Sequence, residues 1–181
     1  MEIFPTKLEG AYEIKYSPHG DDRGYFMRVY DEDIFRQNGL QTRWVQENQS
    51  KSRYKHTIRG FHFQRPPYAE TKLVRVVSGA VLDVFIDLRK KSSTFGEWDC
   101  VELTTSEQNA VYVPRGFAHA FCSLAEDTIV TYKVDNVYAP DFEGSLKWDD
   151  DRVRVDWPTS TPHLSEKDSS APILDDFESP F

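Results

Sequence analysis

Within the stretch "TIRGFHFQRPPYAETKLVRV", Thr57 to Val76, one imidazole sits between two phenylalanines with cations on either side. Arg59 precedes His62, and Lys72 and Arg75 follow it in the same run. A histidine among cations suits proton transfer beside a bound anion. Strict alternation from Ile58 puts Gly60, His62 and Gln64 on one face and Arg59, Phe61 and Phe63 on the other. A face of one glycine and two polar side chains suits a cavity wall better than a core. On spacing alone, a hydrogen-bonded structural histidine explains His62 as well as a catalytic one does. In "VPRGFAHAF", Arg115 and His119 flank an aromatic turn, where a lone histidine is ordinarily a hydrogen-bonded strand residue. Tyr132 shares a face with Val130 and Val134, and core packing accounts for it. The five histidines form no HxH or HxxxH pair and no ligand cluster, which argues against a metal enzyme. No GxxxxGK[ST] or GxGxxG loop occurs, so a bound phosphate is gripped by side chains.

The elements that position these residues read as strands. "AYEIKYS" alternates and stops at "PHGDDRG", a Pro, Gly and Asp cluster that cannot continue a ladder. "DEDIFRQNG", Asp31 to Gly39, is a short helix opened by a capping Asp and closed by Asn-Gly. Lys72 to Arg89 reads as two apolar runs joined through Ser78-Gly79, a hairpin signal. In its second arm Val84, Ile86 and Leu88 share one face, and Asp83, Phe85 and Asp87 the other. "CVELT", "NAVYVP", "HAFCSL" and "TIVTYKV" follow at close spacing, as in a sandwich or barrel. From residue 159 to 181 the composition turns to Ser, Thr, Pro and Asp, which predicts an extended tail laid over the barrel.

A length of 181 residues with 39% hydrophobic and 14% aromatic content predicts one core and one domain, 1–181. The formal net charge of −8 argues against nucleic acid or an anionic membrane as partner, so an anionic ligand needs a local basic pocket. Cys100 and Cys122 belong to no CxxC pair and read as buried, reduced thiols. "MEIFPTKLEG" lacks the cationic start and apolar run of a signal peptide, and no stretch reaches the length of a membrane span. The expected location is the cytoplasm.

The longer motifs "DDRGYF", "VQENQSKS", "IRGFHFQRPPYAETKLVRVVSG", "DVFIDLRKKSSTFGEW", "VPRGFAHAF", "YKVDNVYAPDFEGSLKWDD" and "VDWP...LSEKD" run in order from about Leu8 to the tail. In these the chain resembles the dTDP-4-dehydrorhamnose 3,5-epimerases of nucleotide-sugar metabolism. The resemblance implies an all-β, cupin-like barrel, the double-stranded β-helix or jelly roll, with one or two short helices. It also implies a homodimer that uses no metal or organic cofactor. By position, His62 matches the family's base, Asp168 the carboxylate that orients it, Lys72 the cation beside the sugar ketone and Tyr132 the general acid. Arg23, Phe26, Arg28, Gln46, Asn48, Arg59, His119, Glu143 and Lys167 match substrate-binding positions, and Tyr138 the residue that stacks on the nucleobase. Family members usually carry Glu at the position of Arg28, His at Gln49, Gln at Glu70, Gly at Ala120 and Leu at Phe61.

The implied reaction needs these residue types. A hydrogen next to a C4 ketone becomes acidic only if negative charge moves to the ketone oxygen, which calls for a base near C3 or C5 and a cation near O4. A histidine, with an unperturbed pKa of about 6.5, is a good base at neutral pH, and a carboxylate fixes its tautomer. Inversion then takes a proton from the other face of the ring, and a phenol can supply it. Arginines hold the pyrophosphate. The expected substrate is a nucleotide-diphosphate 4-keto-6-deoxyhexose, most simply dTDP-4-dehydro-6-deoxy-D-glucose, inverted at C3 and C5 to dTDP-4-dehydro-L-rhamnose. A C3-only or C5-only epimerase and a catalytically silent sugar-nucleotide-binding cupin are the alternatives.

Overall fold

A computed structural model describing residues 1–181 has thirteen strands and two short α-helices. The amino-terminal half holds β1 (Glu2–Pro5), β2 (Tyr12–Lys15), β3 (His19–Asp21), β4 (Gly24–Phe26), α1 (Glu32–Gln37), β5 (Gln46–Ser52), β6 (Ile58–Gln64) and β7 (Lys72–Ser78). Then come β8 (Ala80–Asp87), β9 (Trp98–Thr104), β10 (Asn109–Val113), β11 (Phe117–Ser123), β12 (Thr128–Val134), β13 (Glu143–Ser145) and α2 (Glu166–Ser169). They form a six-stranded sheet in the order β1-β2-β10-β7-β12-β5 and a five-stranded sheet in the order β13-β6-β11-β8-β9, all pairs antiparallel. This is the expected all-β jelly roll. No helix is long and apolar enough to cross a membrane.

Period-two alternation explains the layering. Val74, Val76, Val111 and Val130 point inward from the six-stranded sheet and meet Val81, Phe85, Leu103, Phe117 and Phe121 of the five-stranded sheet. The outer faces are covered too. Phe61, Phe63, Val84, Ile86 and Leu88 pack under Leu146, Val153 and Leu174, with Trp157, Phe177 and Phe181 against them. On the other sheet Ile14, Leu73 and Tyr112 pack with Phe35 of α1 and with Leu40. Helix α1 is capped as its sequence predicts, with Asp31 Oδ1 accepting from the backbone N–H of Asp33 at 3.1 Å and of Ile34 at 3.3 Å.

Three local readings need correction or extension. The runs on either side of Ser78-Gly79 do not form a hairpin: β7 pairs with β10 and β12, while β8 pairs with β11 and β9. Gly79, at φ 82°, turns the chain from one sheet to the other, and both arms still reach the same core. The "PHGDDRG" cluster ends the β2 ladder, and its residues then enter a separate two-stranded hairpin, β3–β4, with Asp22 and Arg23 at the turn.

A register slip in β6 shapes the site. Along β6, His62 pairs with His119 but Arg59 pairs with Phe121, so the register slips between them. Arg59 and His62 therefore line the same cavity instead of opposite faces. The slip occurs at Gly60, whose φ of 122° is open mainly to glycine. A Cβ there would stand 2.5 Å from the His119 carbonyl oxygen and 2.6 Å from the Ala120 Cβ. Gly60→Ala should destabilise the fold by on the order of 3 kcal/mol, which lowers the melting temperature by about 6 °C or more. A thermal scan with an unchanged midpoint would refute this account of the bulge.

Candidate active site

His62 projects into the barrel because its neighbours are anchored outside it: Phe61 and Phe63 are buried in the outer cluster beneath the C-terminal segment. That segment also supplies its partner. Ser165 caps α2 by accepting from the Asp168 backbone N–H at 3.1 Å, and the Asp168 carboxylate stands 2.6 Å from His62 Nε2. Burial pushes the Asp168 carboxyl upward, but the hydrogen bond and charge of His62, aided by Ser165 and the Gly60 backbone, outweigh it and hold it below its ordinary range. An ionised Asp168 accepts from Nε2–H and leaves Nδ1 as the basic nitrogen.

Lys72 opens β7 and is almost fully buried. Its Nζ lies 3.1 Å from Glu70 Oε1 and 5.8 Å from the centroid of the Tyr132 ring. Tyr132 lies across from Val74 on β7 and Asn48 on β5. A second imidazole–carboxylate pair stands beside the first: His119 Nε2 is 2.9 Å from both oxygens of Asp83. Burial raises the Asp83 carboxyl, against the pull of His119 and Lys72.

Two adjoining cavities, of about 330 and 270 Å³, converge on these groups. The first is lined by Gln46, Asn48, Glu70, Tyr138 and Glu143 among others, the second by Ser50, Arg59, His119, Lys167 and Asp168 among others. His62, Lys72 and Tyr132 are the three residues that line both. At the first mouth, Gln46 Oε1 accepts from the Tyr138 backbone N–H at 2.9 Å, and the Tyr138 hydroxyl donates to Glu143 Oε2 at 3.3 Å. Lys167 closes on Glu143 Oε1 at 2.7 Å. Arg59 donates to Ser52 Oγ at 3.3 Å and to the Lys51 carbonyl at 3.1 Å, and has no carboxylate partner. Its guanidinium is the cavity cation left with charge for an anionic ligand. No three His, Cys, Asp or Glu side chains converge as a metal-binding group.

Eleven of the fourteen sequence-predicted positions therefore gather here: His62, Lys72, Tyr132, Asp168, Gln46, Asn48, Arg59, His119, Tyr138, Glu143 and Lys167. Arg23, Phe26 and Arg28 do not. Arg23 and Phe26 sit on the exposed β3–β4 hairpin, where Arg23 pairs with Asp21, and Arg28 pairs with Asp31 at 3.1 Å. Sequence reasoning passed over Asp83, Gln64 and Ser50 as parts of the site. Asp83 carried a signal, since it was placed on a strand face beside Phe85 and a carboxylate there needs a partner. Ser50 alternates with Asn48 along β5, and its hydroxyl is buried with no hydrogen-bond partner. The arrangement as a whole can take a proton from carbon, hold an oxyanion and return a proton.

The chain matches a family model described as dTDP-4-dehydrorhamnose 3,5-epimerase over residues 5–176. It is 43% identical over 171 residues to the dTDP-4-dehydrorhamnose 3,5-epimerase of Methanothermobacter thermautotrophicus, covering 93% of this chain and 91% of that protein. The crystal structure of the Bacillus anthracis dTDP-4-dehydrorhamnose 3,5-epimerase with TDP and PPi bound superposes with a TM-score of 0.93 at 40% identity, over 96% of this chain and 99% of that one. A dTDP-6-deoxy-D-glucose-3,5-epimerase from Legionella pneumophila, in complex with dTDP-4-keto-L-rhamnose, superposes with a TM-score of 0.93 at 34% identity, over 98% and 94% of the two chains.

The depressed Asp168 carboxyl makes stability depend on pH in a defined direction. Its contribution is fully present above the ordinary value of 3.8 and is lost as the pH falls through the lower folded value. In chemical denaturation, wild type should exceed Asp168→Asn in stability at pH 6, and the gap should close as the pH drops below 3.8. A gap that widens on acidification would contradict the ionised pair.

Proposed function

This chain belongs to the dTDP-4-dehydrorhamnose 3,5-epimerase family, and we propose that it inverts C3 and C5 of a nucleotide-linked 4-keto-6-deoxyhexose. The proposed conversion is dTDP-4-dehydro-6-deoxy-D-glucose to dTDP-4-dehydro-L-rhamnose, an isomerase reaction. The observation that carries the reading is that a base, a cation and a phenol, His62, Lys72 and Tyr132, are the residues common to two adjoining cavities. The terminal sugar of a nucleoside-diphosphate sugar would lie at that junction, with the diphosphate that joins it to the nucleoside against Arg59 and Lys167, and Lys167 touches Glu143 at the nucleoside end.

In the proposed mechanism the sugar C4 ketone faces Lys72. The free nitrogen of His62 removes the proton at the adjacent carbon, and Asp168 stabilises the imidazolium that forms. The electron pair moves to O4, where the Lys72 ammonium stabilises the enolate. Tyr132 gives its hydroxyl proton to the opposite face, which sets the inverted configuration. Once His62 has released its proton to solvent and Tyr132 has regained one from it, the same steps at the other carbon next to the ketone invert the second centre. Arg59, supported by His119 and Lys167, holds the diphosphate. Tyr138, with Gln46, Asn48 and Glu143, holds the nucleoside end. The reading includes a cytoplasmic homodimer with no cofactor. Arg23, Phe26 and Arg28 lie outside the chain's own cavity on or beside an exposed hairpin, which suits residues that serve a second copy.

Incubation with dTDP-4-keto-6-deoxyglucose in deuterated water, followed by NMR, tests the reading. Wild type should incorporate deuterium at C3 and C5 with inversion. His62→Ala and Lys72→Ala should lose nearly all exchange with the fold intact. Tyr132→Phe should exchange label yet invert at least a hundredfold more slowly, since one proton donor is missing. Label confined to one carbon would reassign the enzyme as a single-centre epimerase, and a wild type with neither label nor inversion would leave a sugar-nucleotide-binding protein. Near wild-type inversion by Tyr132→Phe would overturn the acid assignment.

A further inference from the structure

Glu70 has no part in the proton transfers above, yet it lines the first cavity with both carboxylate oxygens engaged. Oε1 lies 3.1 Å from Lys72 Nζ, and Oε2 accepts from Gln64 Nε2 at 3.0 Å. The Glu70 and Lys72 side chains are each only 11% exposed. Gln64 is itself fixed from the far side: its Oε1 accepts from the Ala139 backbone N–H at 2.6 Å, and its two Nε2 hydrogens are shared among Glu70 and the carbonyls of Val137 at 3.1 Å and Tyr68 at 3.0 Å. The carboxylate is therefore clamped by a buried amide that is tied to the segment carrying Tyr138.

We propose that Glu70 is a positioning residue that fixes the Lys72 ammonium toward the reacting oxygen before substrate arrives, an inference that rests on the assignment of Lys72 to the sugar ketone. A buried ammonium gains from a counter-charge, which this chain supplies at a position where family members usually carry Gln. The other carboxylate close to Lys72, that of Asp83, is held at both oxygens by His119. Glu70 is thus the carboxylate in direct contact. A lysine is a flexible chain with three donors. The bond to Glu70 and the position of Nζ over the Tyr132 ring, 5.8 Å from its centroid, limit its reach, and the remaining donors can meet an oxyanion without rearrangement. Because Gln64 spans Glu70 and the backbone on either side of Tyr138, seating a nucleobase there would tighten the clamp on Lys72.

Two readouts on the full-length protein test this. In steady-state turnover of dTDP-4-keto-6-deoxyglucose, Glu70→Ala should lower kcat about ten- to a hundredfold with KM within about threefold. The near-isosteric Glu70→Gln, which keeps an acceptor oxygen but no charge, should fall between Glu70→Ala and wild type. In protein labelled with nitrogen-15 lysine, Lys72 Nζ should give a resolved, slowly exchanging ammonium signal, assigned by its absence from Lys72→Met. That signal should be lost in Glu70→Ala and weakened in Glu70→Gln. A raised KM at unchanged kcat would make Glu70 a direct substrate contact, and an unaltered ammonium signal in both variants would end the positioning role. If wild type fails to turn over the sugar nucleotide, the functional reading falls, while the ammonium signal still decides the clamp.

Discussion

The contact between His62 and Asp168 joins residues 106 positions apart, and the architecture of the site follows from the need to make it. A carboxylate can meet an imidazole at 2.6 Å only if both backbones are held, because a buried charge that misses its partner costs several kcal/mol. On one side β6 is pinned by Phe61 and Phe63, whose burial is worth about 1.5–3 kcal/mol each. On the other side, the segment that carries Asp168 is pinned by Leu174, Phe177 and Phe181, which pack onto the same cluster as those phenylalanines. Phe63 meets Phe177 and Phe181 edge-on at 5.3 and 5.9 Å between ring centroids. The apolar contacts that seat the C-terminal segment are therefore the ones that turn His62 inward. The two halves of the pair are positioned by one hydrophobic cluster.

The cavity concentrates charge inside a protein of net charge −8, and pairing is how it does so. Asp168 answers His62, Asp83 answers His119, Glu70 answers Lys72 and Glu143 answers Lys167. Glu70 and Glu143 neutralise the two lysines, whereas Asp168 beside a neutral His62 keeps a negative charge that is offset once the imidazole takes a proton. Arg59 is the exception, bound only to a hydroxyl and a carbonyl. A ligand with two negative phosphate groups finds there a cation whose charge is not already offset, while the surrounding acidic surface repels larger polyanions. The cavity cation left without a carboxylate is therefore the one best placed to meet a small anion.

Strand identity and the helix at Asp31 were legible because both rest on local pattern, alternation in one case and an Asp cap with an Asn-Gly stop in the other. The connection at Ser78-Gly79 was not. A hairpin and a corner between facing sheets ask for the same apolar arms and the same glycine, and only pairing partners distant in sequence distinguish them. The face of Arg59 failed for a related reason, since a bulge shifts alternation by one residue and Gly60 does not announce which kind of glycine it is. His62, Lys72 and Tyr132 could be picked out by long motifs but not by periodicity, for which a cavity wall and a core wall look alike. Asp83 and Gln64 act through partners 36 and 75 positions away, which pattern reading within one strand cannot pair.

The way the two cavities overlap explains why the polar groups are distributed as they are. The residues suited to grip a nucleoside, Tyr138, Gln46 and Glu143, line one lobe, and the unpaired guanidinium of Arg59 lines the other. The three residues with proton-transfer or oxyanion chemistry occupy the seam. In the proposed reaction the grips act on parts of the substrate that do not change, so their binding energy is available to hold the sugar ring at the seam against its tendency to tumble. Gripping strength and chemical reactivity can then vary separately: a change at the mouth alters which nucleotide is held, and a change at the seam alters what happens to the sugar.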